Sequence, residues 1–118
     1  MGRLTTHILD TTAGKPADGV KIVLFGIGPT GERSLLTQTV SNADGRTDKP
    51  LLADSSFKTG VYEIEFTIGE YFRRKGTIGD GPSFLDVVPL RFAITEADAH
   101  YHVPLLVSPH AYSTYRGS

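Results

Sequence analysis

A β-sandwich is the fold this sequence predicts, and three observations carry the prediction. The dominant hydrophobic period is two. The apolar runs are short, and glycine-, proline- and aspartate-rich turns separate them. One stretch alone, residues 69–76, breaks the alternation. About eight short strands and one short helix, with no internal repeat and no low-complexity tract, suit two packed sheets better than a helix bundle or a parallel sheet. A closed barrel satisfies the same alternation.

The elements follow in order. LTTHILD (4–10) sets Leu4, Thr6 and Ile8 on one face and Thr5, His7 and Leu9 on the other. TTAGKPADG then turns the chain into VKIVLFGI (20–27), which is apolar on both faces and is expected to be the more deeply covered strand. IGPTGE separates it from a third run, and SNADGR closes that run with Asp-Gly turn chemistry. In VYEIEFTI (61–68) Tyr62, Ile64, Phe66 and Ile68 face inward, while Glu63, Glu65 and Thr67 face solvent. GEYFRRKG (69–76) holds Phe72 and Lys75 three apart between two glycines, which predicts two turns of helix ending at Gly76. GDGP leads into VVPLRFAI (87–94), with Val88, Leu90, Phe92 and Ile94 on one face, Arg91 on the other, and Pro89 marking an edge or a bulge. HYHVPLLV (100–107) turns Tyr101, Val103, Leu105 and Val107 to the core and His100, His102, Pro104 and Leu106 outward. The last residues, YSTYRGS (112–118), read as the return strand of a hairpin.

At 118 residues the chain makes one domain, 1–118. Its 12 Lys and Arg against 13 Asp and Glu leave no field of either sign to draw in nucleic acid or an anionic membrane, and neither partner is expected. Cysteine is absent, which removes disulfides, thiolate metal sites and cysteine nucleophiles and fits a reducing compartment. No apolar run approaches the ~20 residues needed to span a bilayer, and MGRLTTHILD lacks the apolar core of a secretory signal. A soluble, cytoplasmic protein is the expectation. MGRLTT fits the loose myristoylation pattern, but Leu4 already opens a strand.

The chemistry concentrates on histidine. Of His7, His100, His102 and His110, alternation puts His7 and His102 on the outer face of their sheet beside Leu9, Pro104 and Leu106. Histidine mixed with apolar residues on an outward stripe points to a subunit contact or a ligand surface. The competing reading is that each histidine is merely solvated. Zinc is disfavoured, because no His-x-x-x-His spacing and no clear carboxylate partner accompany them. Arg46 follows a DG turn, Arg73, Arg74 and Lys75 read as a solvated helix face, and Ser113 and Ser118 lack any nucleophile-elbow context.

These residues also carry a resemblance. THILDTTAGKPADGV, ADGRTD, GEYF and above all HYHVPLLVSP followed by YSTYRGS resemble the transthyretin-related 5-hydroxyisourate hydrolases from Leu4 to Ser118. The resemblance implies a transthyretin-like (prealbumin-like) sandwich of two four-stranded sheets with one short helix. It also implies a homotetramer whose outer sheets face each other across a channel, and a last strand that lines the active site. The implied activity opens the cyclic amide of 5-hydroxyisourate to 2-oxo-4-hydroxy-4-carboxy-5-ureidoimidazoline in urate breakdown, with no cofactor. Motif by motif, the catalytic residues fall on His7, Arg46 and His102. Substrate binding falls on His7, Arg46 and the terminal Tyr115, Arg116, Gly117 and Ser118. One departure is visible at His110 and Ala111, where such proteins commonly carry an aromatic residue and glycine. Transthyretin itself carries a hydrophobic hormone in the same channel without chemistry, so a non-catalytic carrier is the alternative. An immunoglobulin-like module is disfavoured by the missing disulfide.

Overall fold

The computed structural model describes residues 2–117. The strands are β1 (Arg3–Asp10), β2 (Lys15–Pro16), β3 (Lys21–Ile27), β4 (Arg33–Val40), β5 (Leu52–Ala53), β6 (Gly60–Thr67), β7 (Val87–Ile94), β8 (His100–Val107) and β9 (Tyr112–Thr114). A 3₁₀ turn at Asp54–Ser56 follows β5, and the helix α1 spans Ile68–Arg74. One sheet runs β2-β1-β8-β9 and the other β4-β3-β6-β7. The first is five-stranded rather than four-stranded, because the two-residue strands β2 and β5 pair with opposite ends of β1 along its free edge. Such short pairings leave almost no alternation in sequence to read.

The core forms where the inward faces meet. Leu4, Ile8, Leu105 and Val107 from one sheet pack toward Ile22, Leu24, Ile64, Phe66 and Val88 from the other, all essentially excluded from solvent. Pro89 sits on β7, an edge strand within this chain, as its missing N–H requires. The helix is placed as expected and stops in a Schellman arrangement: Thr77 N–H donates to the Phe72 carbonyl and Gly76 N–H to that of Arg73.

Two expectations are corrected on the outer face of the second sheet. β3 is not equally covered on both sides, for Ile22 and Leu24 are sealed while Val23 and Phe25 are half-buried, Phe25 lying under the Arg33 guanidinium at 3.9 Å. Glu63 is not solvated: it is 9% exposed, held between Arg33 at 3.3 Å and Arg91 at 3.0 Å. Long arginine stems from neighbouring strands cover it, which alternation within one strand cannot reveal. Among the described residues no helix is long and apolar enough to cross a membrane.

A buried acid ties the helix to the sheets. Asp10, 2% exposed at the end of β1, accepts from the Tyr71 hydroxyl at 2.8 Å and from the Thr12 and Ala13 amides at 3.0 and 3.1 Å. Burial and the neighbouring carboxylate push the Tyr71 hydroxyl well above the usual tyrosine range, so it stays a donor. Tyr71→Phe would leave one carboxylate oxygen without its partner in the interior. We expect a loss of about 1–3 kcal/mol, read as a lower urea midpoint at unchanged slope.

Candidate active site

The site begins with an unusual pairing. β1 and β8 are parallel neighbours in continuous register, with Thr5 opposite His102, His7 opposite Pro104 and Leu9 opposite Leu106. That ladder sets every outward residue of the two strands on one face, as the alternation predicts. The stripe of Leu9, Pro104 and Leu106 is there, but it is half-buried to buried within the single chain rather than fully exposed.

The loop after β4 brings in the cation. Ile8 N–H donates to the Gly45 carbonyl at 2.8 Å, and the Asn42 side chain accepts from the Asp44 and Arg46 amides at 2.9 and 3.1 Å. Gly45 has φ 74°, and a Cβ there would lie 2.4 Å from the Ile8 carbonyl oxygen, so only glycine lets this turn dock so closely on β1. Arg46 therefore stands over the histidine face although it is itself exposed. Among the described residues it makes no ion pair, which leaves its charge available to a ligand.

The result is a cleft of about 380 Å³ lined by Arg3, Thr5, Arg46, Lys49, His100 and His102 among others. Thr5 Oγ1 lies 2.9 Å from His100 Nε2 and 2.8 Å from His102 Nδ1. The His7 ring centroid is 6.5 Å from that of His102, just outside the cleft lining. All three imidazoles are held below the ordinary histidine range. For His102 the causes are burial, then Arg46, then His100 and His7; for His100 they are burial and then Arg3. For His7 burial leads, then Arg46, partly offset by the carbonyl and carboxylate of Asp44. A set of neutral imidazoles beside a permanent cation can accept a proton from water and stabilise an anion. Among the described residues no three His, Asp or Glu side chains converge closely enough to hold a metal ion.

The terminal tetrapeptide divides. Gly117 N–H donates to the His102 carbonyl at 2.7 Å, and a Cβ at Gly117 would come within 2.9 Å of His102 Cδ2, so this residue packs on the flank of the histidine. Tyr115 and Arg116 do not meet the histidines within one chain. They line a second cavity of about 460 Å³ on the core side of β8, with Arg116 stacked 4.0 Å over the Tyr101 ring. Ser118 lies outside the described residues. His110 stacks on Phe84 at 5.8 Å, and Ser108 hydrogen-bonds across the turn to Ala111, so the unusual pair sits in an ordinary tight turn. Sequence reasoning gave no role to Thr5, His100, Arg3 or Lys49. Alternation did place Thr5 and His100 on the right face; what it lacked was the parallel pairing that sets them side by side.

Arg46 disfavours the imidazolium form, so its removal should raise the pKa of His102 toward the ordinary value. Arg46→Ala should do this directly, and Gly45→Ala indirectly by undocking the loop, at a cost of about 1–3 kcal/mol in stability. Histidine proton titrations followed by NMR would show both shifts upward; unchanged titrations would mean that the loop does not control the site.

Comparison with known proteins agrees with this geometry. The chain matches the HIUase/Transthyretin family over residues 4–117. It is 53% identical to the 5-hydroxyisourate hydrolase of Halalkalibacterium halodurans, over 99% of this chain and 98% of that protein. Among solved structures, (S)-allantoin synthase superposes with a TM-score of 0.92 at 50% identity over 99% of this chain, which spans 44% of that longer chain. Sea bream transthyretin in complex with thyroxine superposes with a TM-score of 0.86 at 28% identity, over 98% of this chain and 94% of its own. Sandwich, histidine face and a match along nearly the whole sequence lead to one conclusion: the chain belongs to the HIUase/Transthyretin family.

Proposed function

We propose that this chain is a 5-hydroxyisourate hydrolase that opens the cyclic amide of its substrate by histidine-assisted attack of water. The observation that carries the reading is a single cleft shared by His102, whose pKa is lowered first by burial and then by Arg46, and by Arg46 itself, which makes no ion pair among the described residues. The 53% identity to a named hydrolase supports it. The carrier alternative has its support in the 28% identity to transthyretin and finds no use for a cation beside three histidines.

In this mechanism His102 Nε2 takes a proton from water as the new C–O bond forms at the amide carbonyl. Arg46 faces the charge that grows on the carbonyl oxygen. The C–N bond then breaks, and the imidazolium returns its proton to the leaving nitrogen. The acid so formed loses its own proton at neutral pH. We assign the base to His102 rather than His7 because His102 lines the cleft, and we assign His7, 6.5 Å away, to binding the flat heterocycle from the side. Gly117 serves as a wall behind the His102 ring, while Arg116 anchors its segment over Tyr101 and the exposed Tyr115 lines the cavity beside it. No step requires a cofactor.

We further propose that the working species is a homotetramer in the cytoplasm. The cleft is open on the outer face of its sheet, and Leu9 and Leu106 continue that face as half-buried apolar surface, so a second copy would both cover it and exclude water from the reaction.

Freshly generated 5-hydroxyisourate, followed by the decay of its ultraviolet band, provides the test. His102→Asn and Arg46→Ala should each lower turnover at least about a hundredfold with the fold intact. Wild-type kcat/KM should fall only below the ordinary histidine range, because a depressed pKa keeps the base neutral to lower pH, and Arg46→Ala should move that acid limb upward. Wild-type rates in both variants would refute the assigned site. Light scattering at micromolar concentration should give four copies, and a monomer would count against the assembly.

A further inference from the structure

We propose that Thr5 and His100 form a neutral relay that holds His102 in its Nδ1–H tautomer, making them positioning residues for the hydrolysis proposed above. The inference rests on that reading for its meaning in catalysis, but its structural content stands apart from it.

One hydroxyl serves two imidazoles. Thr5 Oγ1 is within hydrogen-bond distance of two ring nitrogens, His102 Nδ1 at 2.8 Å and His100 Nε2 at 2.9 Å. A hydroxyl has a single proton to donate, so both bonds form between neutral rings only if one nitrogen donates and the other accepts. Two arrangements meet that condition. In one, His102 Nδ1–H donates to Thr5, and Thr5 donates to His100 Nε2. In the other the direction is reversed, and His102 carries its proton on Nε2. The tautomers of the two histidines are therefore linked through Thr5.

The first arrangement is the one that leaves a lone pair on His102 Nε2, the ring nitrogen left for the cleft once Nδ1 is engaged and Gly117 covers the Cδ2 flank. It matches the role of the orienting carboxylate in a Ser-His-Asp triad, which fixes the tautomer of its histidine. The difference is charge. An acid in place of Thr5 would raise the basicity of His102 and draw Arg46 toward itself. A hydroxyl capped by a neutral imidazole orients the ring and leaves Arg46 free. The charged and titratable groups around the pair are His7 on β1, Arg3 at its start, and Arg46, Asp48 and Lys49 on the loop above. Of these, Arg46 disfavours the charged form of His102 and Arg3 that of His100, so each ring of the relay has a permanent cation that favours its neutral form.

The test uses the full chain labelled with ¹⁵N at histidine. In the wild type, His102 should show a protonated Nδ1 and an unprotonated Nε2 at neutral pH. Thr5→Val, nearly isosteric, should move His102 toward the Nε2–H form. It should also lower kcat by about tenfold to a hundredfold with KM changed less than about threefold. Thr5→Ser should restore both the tautomer and kcat, and His100→Leu should loosen the preference without abolishing it. An Nε2–H form dominant in the wild type would overturn the relay. So would a Thr5→Val protein with unchanged tautomer and unchanged kcat. A wild-type protein inactive on 5-hydroxyisourate would overturn the hydrolase reading instead, and the nitrogen spectra would still decide the relay.

Discussion

The parallel ladder between β1 and β8 is the constraint on which the rest of this molecule depends. Eight consecutive pairs, from Arg3 opposite His100 to Asp10 opposite Val107, join a strand near the start of the chain to one near its end. Because side chains alternate, a slip of one residue in β1 would exchange Leu4, Thr6 and Ile8 for Thr5, His7 and Leu9 at the core. The register is therefore enforced by burial: Leu4, Ile8, Leu105 and Val107 cannot leave the interior without exposing apolar surface at ~25 cal/mol per Å². The histidine face is aligned as a by-product of that packing. Thr6, buried among these residues, closes its own hydroxyl on the Val103 carbonyl at 2.7 Å and so adds no unsatisfied group.

A second consequence concerns charge. Arg46 is exposed and would ordinarily sample many orientations, yet its backbone is pinned by the Gly45 carbonyl bound to Ile8 and by the Asn42 side chain. Fixing the stem is enough, since the field of a cation over a half-buried cleft extends beyond contact distance. Burial is the leading cause that depresses the histidines; Arg46 pushes His7 and His102 the same way, while Asp44 opposes it at His7 only. The two imidazoles are thus made unequal by the same loop, and the one free of the carboxylate is the one that lines the cleft.

Much of this was legible in sequence because strand alternation reports burial directly. His7 and His102 could be assigned to one outward face, and the helix could be stopped at Gly76, from patterns a few residues long. What was not legible depends on pairing between distant segments. The Thr5–His102 contact spans 97 residues of sequence, and nothing local in LTTHILD or HYHVPLLV marks it. Glu63 reads as a solvent-facing residue until Arg33 and Arg91 arrive from two different strands. Tyr115 and Arg116 were expected at the substrate because the resemblance covers the whole terminal tetrapeptide, whereas within one chain Gly117 alone of the described three meets His102, beyond the end of β9 at Thr114. There Arg116 stacks on Tyr101, a ring on the core face of β8, while Gly117 pairs with His102 on the same strand.

The environment of the single His102 ring shows how these constraints combine. Its Nδ1 meets Thr5, its Cδ2 flank meets Gly117, and its backbone carbonyl accepts from the Gly117 amide. A ring held on two sides has little freedom left to lose, so the entropy of ordering it is spent in folding. Gly117 achieves this by having no side chain: any Cβ would meet the ring below normal contact distance, and the imidazole would have to swing off Thr5. The chain end and the first strand thus grip the same residue from opposite sides. That arrangement ties the placement of the ring to β1 on one side and to Gly117 on the other, and it leaves Nε2 as the ring nitrogen that Thr5 does not engage.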